Sequence, residues 1–366
     1  MRLLTQPNDG VMPIVKSITG AKKSVEIMIF RFDRREVEAA LASAVTRGVS
    51  VTALIAHTNK AGEERLRRLE MRLLAAGVTV SRTADDFIRY HGKMMIIDRR
   101  ELQVLAFNFT TLDIDRSRSF GFVTRSRRVV SEAASLFEAD MKRHPYEARC
   151  PGLIVSPSNA RKELSAFIKG ATKSLLIYDV EVSDPDMVRL IEAKAKAGVD
   201  VRLIGGTRKK KVGFETRECP RRLHTRTMIR DGRIAFIGSQ SLRQIELDRR
   251  REVGILIRDR KIAAAICKTF EADWAQASEM QQQAKGDSSV PTEKAAKRVA
   301  KAVTKGLPGM TPVLEQAIKE ISKVNEIAVS VKELEEDVRD AIKEAVKSVV
   351  TEAVESANED RADAGT

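Results

Sequence analysis

The chain has 366 residues, 43% of them hydrophobic, which is enough to build the cores of one large or two medium-sized domains. No apolar run approaches the ~20 residues that a membrane span needs, which excludes a predicted transmembrane helix. The 65 Lys and Arg residues exceed the 51 Asp and Glu residues by 14, and this excess lies before residue 285, so the folded body is expected to attract polyanions.

The cysteines and the N-terminus indicate the compartment. Cys150, Cys219 and Cys267 are far apart, odd in number and without the spacing of metal ligands, so we expect reduced thiols and no metal site. Residues 1–10 are polar and lack the apolar segment of a signal peptide. A cytoplasmic protein is therefore expected.

Residues 3–54 and 153–204 are two copies of one unit, related by an offset of 150 residues. In each copy an amphipathic helix leads to an apolar strand (Ser24–Phe30; Ser174–Val180), a second helix and a β-branched strand (Val49–Ile55; Val199–Ile204). Strands that alternate with helices predict an α/β fold, here two pseudo-symmetric halves, each with a mixed, mainly parallel sheet flanked by helices. Ligands often bind at the seam between such halves.

Each copy then reaches a histidine followed by a β-rich segment, HGKMMIIDRRELQVLAFNFT from His91 and HTRTMIRDGRIAFIGSQSLR from His224. The two histidines are 133 residues apart, and this offset continues downstream, where LDIDRSRSFGFVTR aligns with IELDRRREVGILIR. Because 133 is less than 150, the first copy is expected to carry an extra helix, predicted at Glu63–Leu74. We predict an N-terminal half at residues 1–150 and a C-terminal half at residues 151–280.

Residues 281–366 are predicted to form a linker and a helical tail. A segment rich in Gln and Ser marks the linker, and from Val313 apolar residues recur at helical spacing. We expect residues 313–357 to mediate self-association or to pack on the body. The basic helix predicted at residues 291–305 suits peripheral contact with an anionic membrane.

The two histidine segments resemble the HKD motif of the phospholipase D superfamily, H-x-K-x4-D-x6-G-S-x-N. The matching residues are His91, Lys93, Asp98 and Asn108 in the first copy, and His224, Asp231, Gly238 and Ser239 in the second. Two matches in register, inside a duplication that is detectable without them, make the resemblance specific. It covers about residues 1–280.

The resemblance implies two phospholipase D-like halves and phosphodiester cleavage without a metal or another cofactor. One histidine forms a covalent phosphohistidine and the other protonates the leaving alcohol, after which water or a second alcohol completes hydrolysis or transfer. In this superfamily an acidic residue after each motif supports the histidine of the opposite half. Glu252 would orient His91, whereas the matched position in the first half is Ser119. His91 is therefore assigned as the nucleophile and His224 as the general acid.

The motifs also depart from the family pattern. The second has Arg226 in place of lysine and Ser241 in place of asparagine, and the first has Leu105 and Ala106 in place of Gly and Ser. Arginine keeps the positive charge, although its planar fork differs from an ammonium group. The predicted catalytic set, which can still form one composite phosphate site, is His91, Lys93, Asn108, His224, Arg226, Ser239 and Glu252. Asp98, Asp231, Gly238 and Ser241 are predicted to support it.

Three functions fit these features, and all involve a phosphodiester or another polyanion as partner. Hydrolysis or exchange of phospholipid headgroups, as in proteins similar to cardiolipin synthases, is favoured because the basic body and amphipathic tail suit anionic lipid. A metal-independent nuclease of the same superfamily is the second, although only 4% of residues are aromatic and base-stacking platforms are scarce. The third is a catalytically degenerate polyanion-binding protein, in which the motif departures abolish turnover.

Overall fold

The computed structural model describes residues 1–57, 63–209 and 211–286. The chain divides into two compact units, Met1–Gln281 and Gln282–Thr366. The first unit contains both histidine segments and all the contacts discussed below. The predicted helices of the tail and the surface proposed for self-association lie outside the described residues. The boundary predicted between the halves stays a prediction.

The first half of the first unit contains eight described strands and five described helices. They are β1 Arg2–Gln6, α1 Met12–Gly20, β2 Ser24–Ile29, α2 Arg35–Thr46, β3 Ser50–Ile55, α3 Glu63–Ala75, β4 Thr79–Arg82, β5 Arg89–Tyr90, β6 Met94–Ile97, β7 Glu101–Leu105, α4 Thr111–Asp115, β8 Ser117–Thr124 and α5 Arg127–Lys142. Helix α3 is the extra segment that the two offsets predicted.

The second half repeats this order without a counterpart of α3 among its described residues. Its elements are β9 Leu153–Ser156, α6 Ala160–Lys169, β10 Ser174–Val182, α7 Pro185–Lys196, β11 Asp200–Thr207, β12 Glu215–Arg217, β13 Arg222–Leu223, β14 Arg226–Arg230, β15 Ile234–Gly238, α8 Gln244–Asp248, β16 Arg250–Ile257 and α9 Arg260–Gly286. The internal duplication seen in the sequence is therefore a duplication of structure.

Each half forms one mixed sheet flanked by helices, as predicted. The first sheet has the order β1-β8-β7-β6-β2-β3-β4, and the second has the order β12-β11-β10-β14-β15-β16, with β9 also paired to β16. The expectation that the sheets would be mainly parallel needs correction. The strand–helix–strand units make the parallel pairs, such as β2 with β3, but the segments that follow each histidine return as hairpins and make antiparallel pairs, such as β6 with β7 and β7 with β8.

Three hydrophobic cores hold these layers together. Helices α1 and α2 pack on one face of the first sheet through Ile14, Ile18, Val37 and Leu41, and α6 and α7 do the same in the second half. The third core takes side chains from both sheets and from α5 and α9. The central strands are therefore covered on both faces, which explains why Val25–Ile29 is buried at every position and apolar at all but Glu26 instead of alternating.

The halves exchange short strands just before each histidine. Strand β5 of the first half pairs in parallel with β16 of the second, and β13 of the second half pairs in parallel with β8 of the first. Each histidine therefore directly follows a short strand that is paired with the other half's sheet. This exchange brings the two motifs to one seam.

Three further features concern the thiols, metal ligands and membrane spans considered in the sequence. All three cysteines are free thiols, and Cys150 is buried. Within the described ranges, no group of three or more His, Cys, Asp or Glu side chains is placed to hold a metal ion. Of the helices that the structure describes, none is both long enough and apolar enough to cross a bilayer.

Candidate active site

His91 is held by the second half. Its backbone N–H donates to the carbonyl of Arg251 at 2.8 Å, and its Nδ1 lies 2.9 Å from Oε2 of Glu252. The His91 ring also packs edge-on against Phe30, with ring centroids 4.9 Å apart. Since Glu252 contacts Nδ1, an Nδ1–H donated to an ionised carboxylate leaves the Nε2 lone pair available as a nucleophile.

His224 is held by the first half through different partners. Its backbone N–H donates to the carbonyl of Arg118 at 3.1 Å, and its Nδ1 donates to the carbonyl of Ala106 at 2.8 Å. Its Nε2 lies 3.3 Å from Oδ2 of Asp113. Ser119, which occupies the position matched to Glu252, is buried, and its hydroxyl has no hydrogen-bond partner within the described part of the chain. The two histidines are thus equivalent in the fold but not in their side-chain partners.

The two motif cations contact the backbone of their own histidines. Lys93 Nζ donates to the carbonyl of His91 at 2.6 Å, and Arg226 donates to the carbonyl of His224 at 2.8 Å. Arg226 also donates from Nε to the hydroxyl of Ser241 at 2.9 Å. Ser241 therefore supplies an acceptor for the extra guanidinium donor that a lysine would not have. The two departures in the second motif are matched to each other.

Burial dominates the electrostatics of these groups. Burial, together with the positive charges of Lys93 and Arg226, lowers the pKa of His91 well below its usual value. The pKa of Lys93 falls to about 7, chiefly because the ammonium is buried, although the Glu252 carboxylate opposes the shift. Burial also lowers the pKa of His224, against the opposing charge of Asp113. Lys93 and Arg226 act on both histidines, so the two motifs share one charged site.

Glu252 is fully buried between these groups. Burial raises its pKa above the usual value for a glutamate, while the positive charges of Lys93 and Arg250 oppose this shift. One of its oxygens, Oε1, has no hydrogen-bond partner in the described structure. Within the described residues, the ion pair of this carboxylate is with His91 and not with an arginine.

Asn108 and Ser239 lie beside the site but use their polar groups internally. The Asn108 amide donates from Nδ2 to Asp113 at 2.7 Å, while its buried Oδ1 has no partner among the described atoms. The Ser239 hydroxyl accepts from the backbone N–H of Val253 at 3.1 Å. Direct contact of either side chain with a phosphate would require these hydrogen bonds to be shared or exchanged.

The supporting residues lie at two different places. Asp98 and Asp231 sit at the opposite end of the strands, where each accepts backbone N–H groups of the three residues around the start of β2 or β10. Gly238 lies at the site end, where an added Cβ would stand 2.9 Å from the Cα of Gly254. In the first half Leu105 occupies this position and faces Gly121, whose missing side chain leaves room for it.

Sequence reasoning missed two buried carboxylates, Asp113 and Glu246. Asp113 accepts the backbone N–H of Asn108 at 3.0 Å, and Glu246 accepts that of Ser241 at 2.7 Å. The signal was present, because the two acids are 133 residues apart, the same offset as the histidines. Two arginines also follow this offset: Arg222 donates to Asp113 at 2.7 Å, and Arg89 lies over the ring of Phe30 at 5.2 Å.

Comparison with known proteins agrees with this architecture. The sequence matches the family described as cardiolipin synthase, PLD-like domain, over residues 14–141 and 164–274. No curated protein sequence matches.

Two solved structures share the fold over most of the described chain. Polyphosphate kinase from Porphyromonas gingivalis has a TM-score of 0.62 at 17% identity, covering 75% of this chain and 50% of its own, so this chain corresponds to half of that protein. Phosphatidylserine synthase from Haemophilus influenzae has a TM-score of 0.59 at 12% identity, covering 75% of this chain and 86% of its own. Nuc from Salmonella typhimurium, a phospholipase D family member, covers only 39% of this chain, with a TM-score of 0.35.

The family match spans more than half of the chain and includes both histidine segments. The duplicated fold and the exchanged strands carry those two segments to one seam. The chain belongs to the phospholipase D superfamily, in the family described as cardiolipin synthase, PLD-like domain.

Proposed function

We propose that this protein is a phosphodiesterase or phosphatidyltransferase that acts on phospholipid headgroups through a phosphohistidine at His91. The observation that carries the proposal is the 2.9 Å contact between His91 Nδ1 and Glu252, in a site that also contains His224. Membership of the phospholipase D superfamily supports phosphoryl-transfer chemistry in general. We place the enzyme in the cytoplasm, with peripheral contact to a membrane.

In the first chemical step, Nε2 of neutral His91 attacks the phosphorus while the P–O bond to the alcohol breaks. His224 gives a proton from Nε2 to the departing alkoxide, which leaves as a neutral alcohol. Glu252 stabilises the positive charge that forms on the His91 ring. Lys93 and Arg226 offset the negative charge on the phosphoryl oxygens.

In the second step, water or a second alcohol gives its proton to Nε2 of His224, which is now neutral and acts as a base. The oxygen attacks the phosphorus, the P–N bond breaks, and its electron pair returns to Nε2 of His91. Both histidines regain their starting protonation states. Water yields hydrolysis and a second alcohol yields headgroup exchange, and no metal ion takes part in either outcome.

Exposed apolar side chains next to the site residues favour a lipid substrate. Ile88 is 45% exposed and precedes Arg89, and Leu112 is 41% exposed and precedes Asp113. Val180, 42% exposed, occupies the position in the second half that matches Phe30. Single exposed apolar residues are common on protein surfaces. These three residues, two of them adjacent in sequence to site residues and one matched to Phe30 in the repeat, support a phospholipid substrate over a solvated nucleic-acid backbone.

A metal-independent nuclease is the second candidate, and the charge of the body favours it. The chain carries a net charge of +14, and the excess lies before residue 285. Such a charge suits a nucleic-acid backbone as well as an anionic membrane.

A side-by-side turnover assay in excess EDTA tests both candidates. The substrates are vesicles of fluorescent anionic phospholipid and labelled single- and double-stranded DNA, offered to the wild type and to His91→Ala. His144→Ala is the matched control, because His144 is exposed and lies outside the site. We expect lipid turnover that resists EDTA, survives in His144→Ala and is lost in His91→Ala.

Other outcomes separate the candidates. DNA cleavage that is lost in His91→Ala would replace the lipid proposal with the nuclease. Turnover that disappears in EDTA would contradict the metal-free mechanism. If the wild type turns over neither substrate, the degenerate polyanion-binding protein becomes the better description.

A further inference from the structure

The general acid, His224, lacks the matched carboxylate that contacts the nucleophile, His91. Glu252 contacts Nδ1 of His91, but the matched position opposite His224 is Ser119, which carries no charge. The Nδ1 of His224 instead donates to the backbone carbonyl of Ala106. A buried histidine that must carry a proton therefore has no anionic partner at the position where its counterpart has one.

Asp113 supplies a negative charge at the other ring nitrogen of His224. Its Oδ2 lies 3.3 Å from Nε2 of His224, the ring nitrogen left over after Nδ1 has bonded to Ala106. Because a carbonyl oxygen can only accept, Nδ1 must carry a proton. A second proton on Nε2 would then face the carboxylate, whereas a bare Nε2 would direct its lone pair at a negative oxygen. The contact therefore raises the pKa of His224, against the burial and the neighbouring cations that lower it overall.

Asp113 is itself held in place as an anion. It accepts hydrogen bonds from the backbone and amide of Asn108 at 3.0 and 2.7 Å, and from Arg222 at 2.7 Å. These donors and the charge of His224 outweigh the effect of burial and hold the pKa of Asp113 below its usual value. The other charges with the largest effect on His224 are those of Arg226, Lys93 and Arg222, all cations that disfavour its protonation. Among these groups, Asp113 is the one that opposes them.

We propose that Asp113 is the positioning residue of the general acid: its carboxylate orients the Nε2 edge of His224 and stabilises the proton that the leaving alkoxide takes. The inference rests on the proposed function and deepens it. In the step, the Nε2–H bond of His224 breaks as the O–H bond of the alcohol forms, and Asp113 stays a carboxylate throughout. The 3.3 Å contact is longer than the 2.9 Å contact between His91 and Glu252, so an entering oxygen can compete for the proton.

The test compares two leaving groups on one lipid. Phosphatidylglycerol loses an alkoxide and needs an acid, whereas phosphatidyl-p-nitrophenol loses a stable phenolate and needs none. General acid catalysis contributes about 10²–10⁴-fold. We expect Asp113→Asn to lower turnover of phosphatidylglycerol by at least about 10²-fold and that of the activated ester by less than about 10-fold, as His224→Ala should. Asp113→Glu, which keeps the charge, should recover part of the difference.

Glu246→Gln is the matched control, since Glu246 holds the same place in the second half but contacts Arg250 at 3.0 Å rather than a histidine ring. It should lower turnover of both lipids by the same factor. Equal losses for both lipids in Asp113→Asn, with an unchanged unfolding temperature or a lowered one, would overturn the inference. So would a wild type that cleaves only the activated ester, although phosphohistidine formation at His91 would then stand. A wild type that cleaves neither lipid would contradict both the role of Asp113 and the proposed function.

Discussion

At the scale of single residues, the two histidines gain different properties from the opposite half of the molecule. Both histidines follow an exchanged strand. In both, the motif cation donates a hydrogen bond to the backbone carbonyl of its own histidine. The difference lies in the partner of Nδ1, a glutamate for His91 and a backbone carbonyl for His224. An asymmetric reaction with one nucleophile and one acid can therefore occur in a duplicated fold.

Glu252 is expected to matter through its charge and not only through its hydrogen bond. Glu252→Gln keeps an acceptor near Nδ1 of His91 but removes the negative charge that stabilises the phosphohistidine. We predict that kcat falls by at least about 10²-fold, measured by single-turnover and steady-state kinetics on the same substrate. Ser119→Ala, the matched change in the other half, should keep near-wild-type activity. Equal losses in both variants would contradict the role assigned to Glu252.

The lowered pKa of Lys93 predicts an unusual pH dependence of kcat/KM. Burial lowers its pKa to about 7, so the ammonium is charged below that pH and neutral above it. Because the site binds an anion, kcat/KM should fall as the pH rises through about 7. In Lys93→Arg the guanidinium stays charged, so this decline should disappear from the pH profile, even if the rate at low pH is reduced. A decline that persists unchanged in Lys93→Arg would assign it to another group.

At the scale of elements, the exchanged strands β5 and β13 decide where the site forms, and they were not predictable. Each contains only two residues, which is too short for any periodicity in hydrophobicity. The repeat predicted that the fold has two halves, and the longer strands β2, β3, β10 and β11 follow from their apolar, β-branched runs. Which half would hold each histidine depends on pairing between distant strands, for which a single sequence carries no local signal.

A substitution at Gly92, which follows β5, tests the importance of this strand exchange. A Cβ at Gly92 would lie 2.7 Å from Cγ2 of Val253 and 3.0 Å from the sulfur of Met28. We predict that Gly92→Ala separates His91 from Glu252. Activity should fall strongly, while the unfolding temperature should fall only slightly. Val253→Ala in the same chain should restore part of the activity by making room. Gly20→Ala, where a Cβ would meet nothing within 4 Å, is the control and should leave activity intact.

The candidate site could be predicted in part for a related reason. The motif spacing identified the two histidines and their cations, because each cation stands two residues after its histidine in both copies. Asp113 also has a partner at the repeat offset, but an acid on a five-residue helix such as α4 is usually exposed. Its burial against His224 comes from the exchange of β13, so this contact could not be read from the sequence.

At the scale of the whole molecule, two buried ion pairs join the halves and follow the same repeat. Arg118 of the first half pairs with Asp273 of α9 at 2.7 Å, and Arg251 of the second half pairs with Asp140 of α5 at 3.1 Å. Both arginines belong to the strands whose carbonyl groups hold the histidines. The pairs therefore lie directly behind the site and tie each supporting strand to a helix of the opposite half.

These pairs are expected to differ in strength. Asp273 accepts two hydrogen bonds from Arg118 and one from Tyr178. Asp140 is bonded to Arg251, but its Oδ2 has no partner within the described chain, and burial raises its pKa to about 6. Its charge is therefore less well compensated than the charge of Asp273.

We predict that Asp273→Asn lowers the free energy of unfolding by about 3–5 kcal/mol, because it leaves the charge of Arg118 buried and unpaired. Asp140→Asn should cost less, since the carboxylate that it replaces is already disfavoured by burial. Urea denaturation of the first unit's tryptophan signal, Trp274 of α9, measures both variants. Equal decreases in the free energy of unfolding would mean that the extra hydrogen bonds of Asp273 do not stabilise the contact between the halves. A larger cost in Asp140→Asn would reverse the order and show that the halves are held mainly from the His91 side.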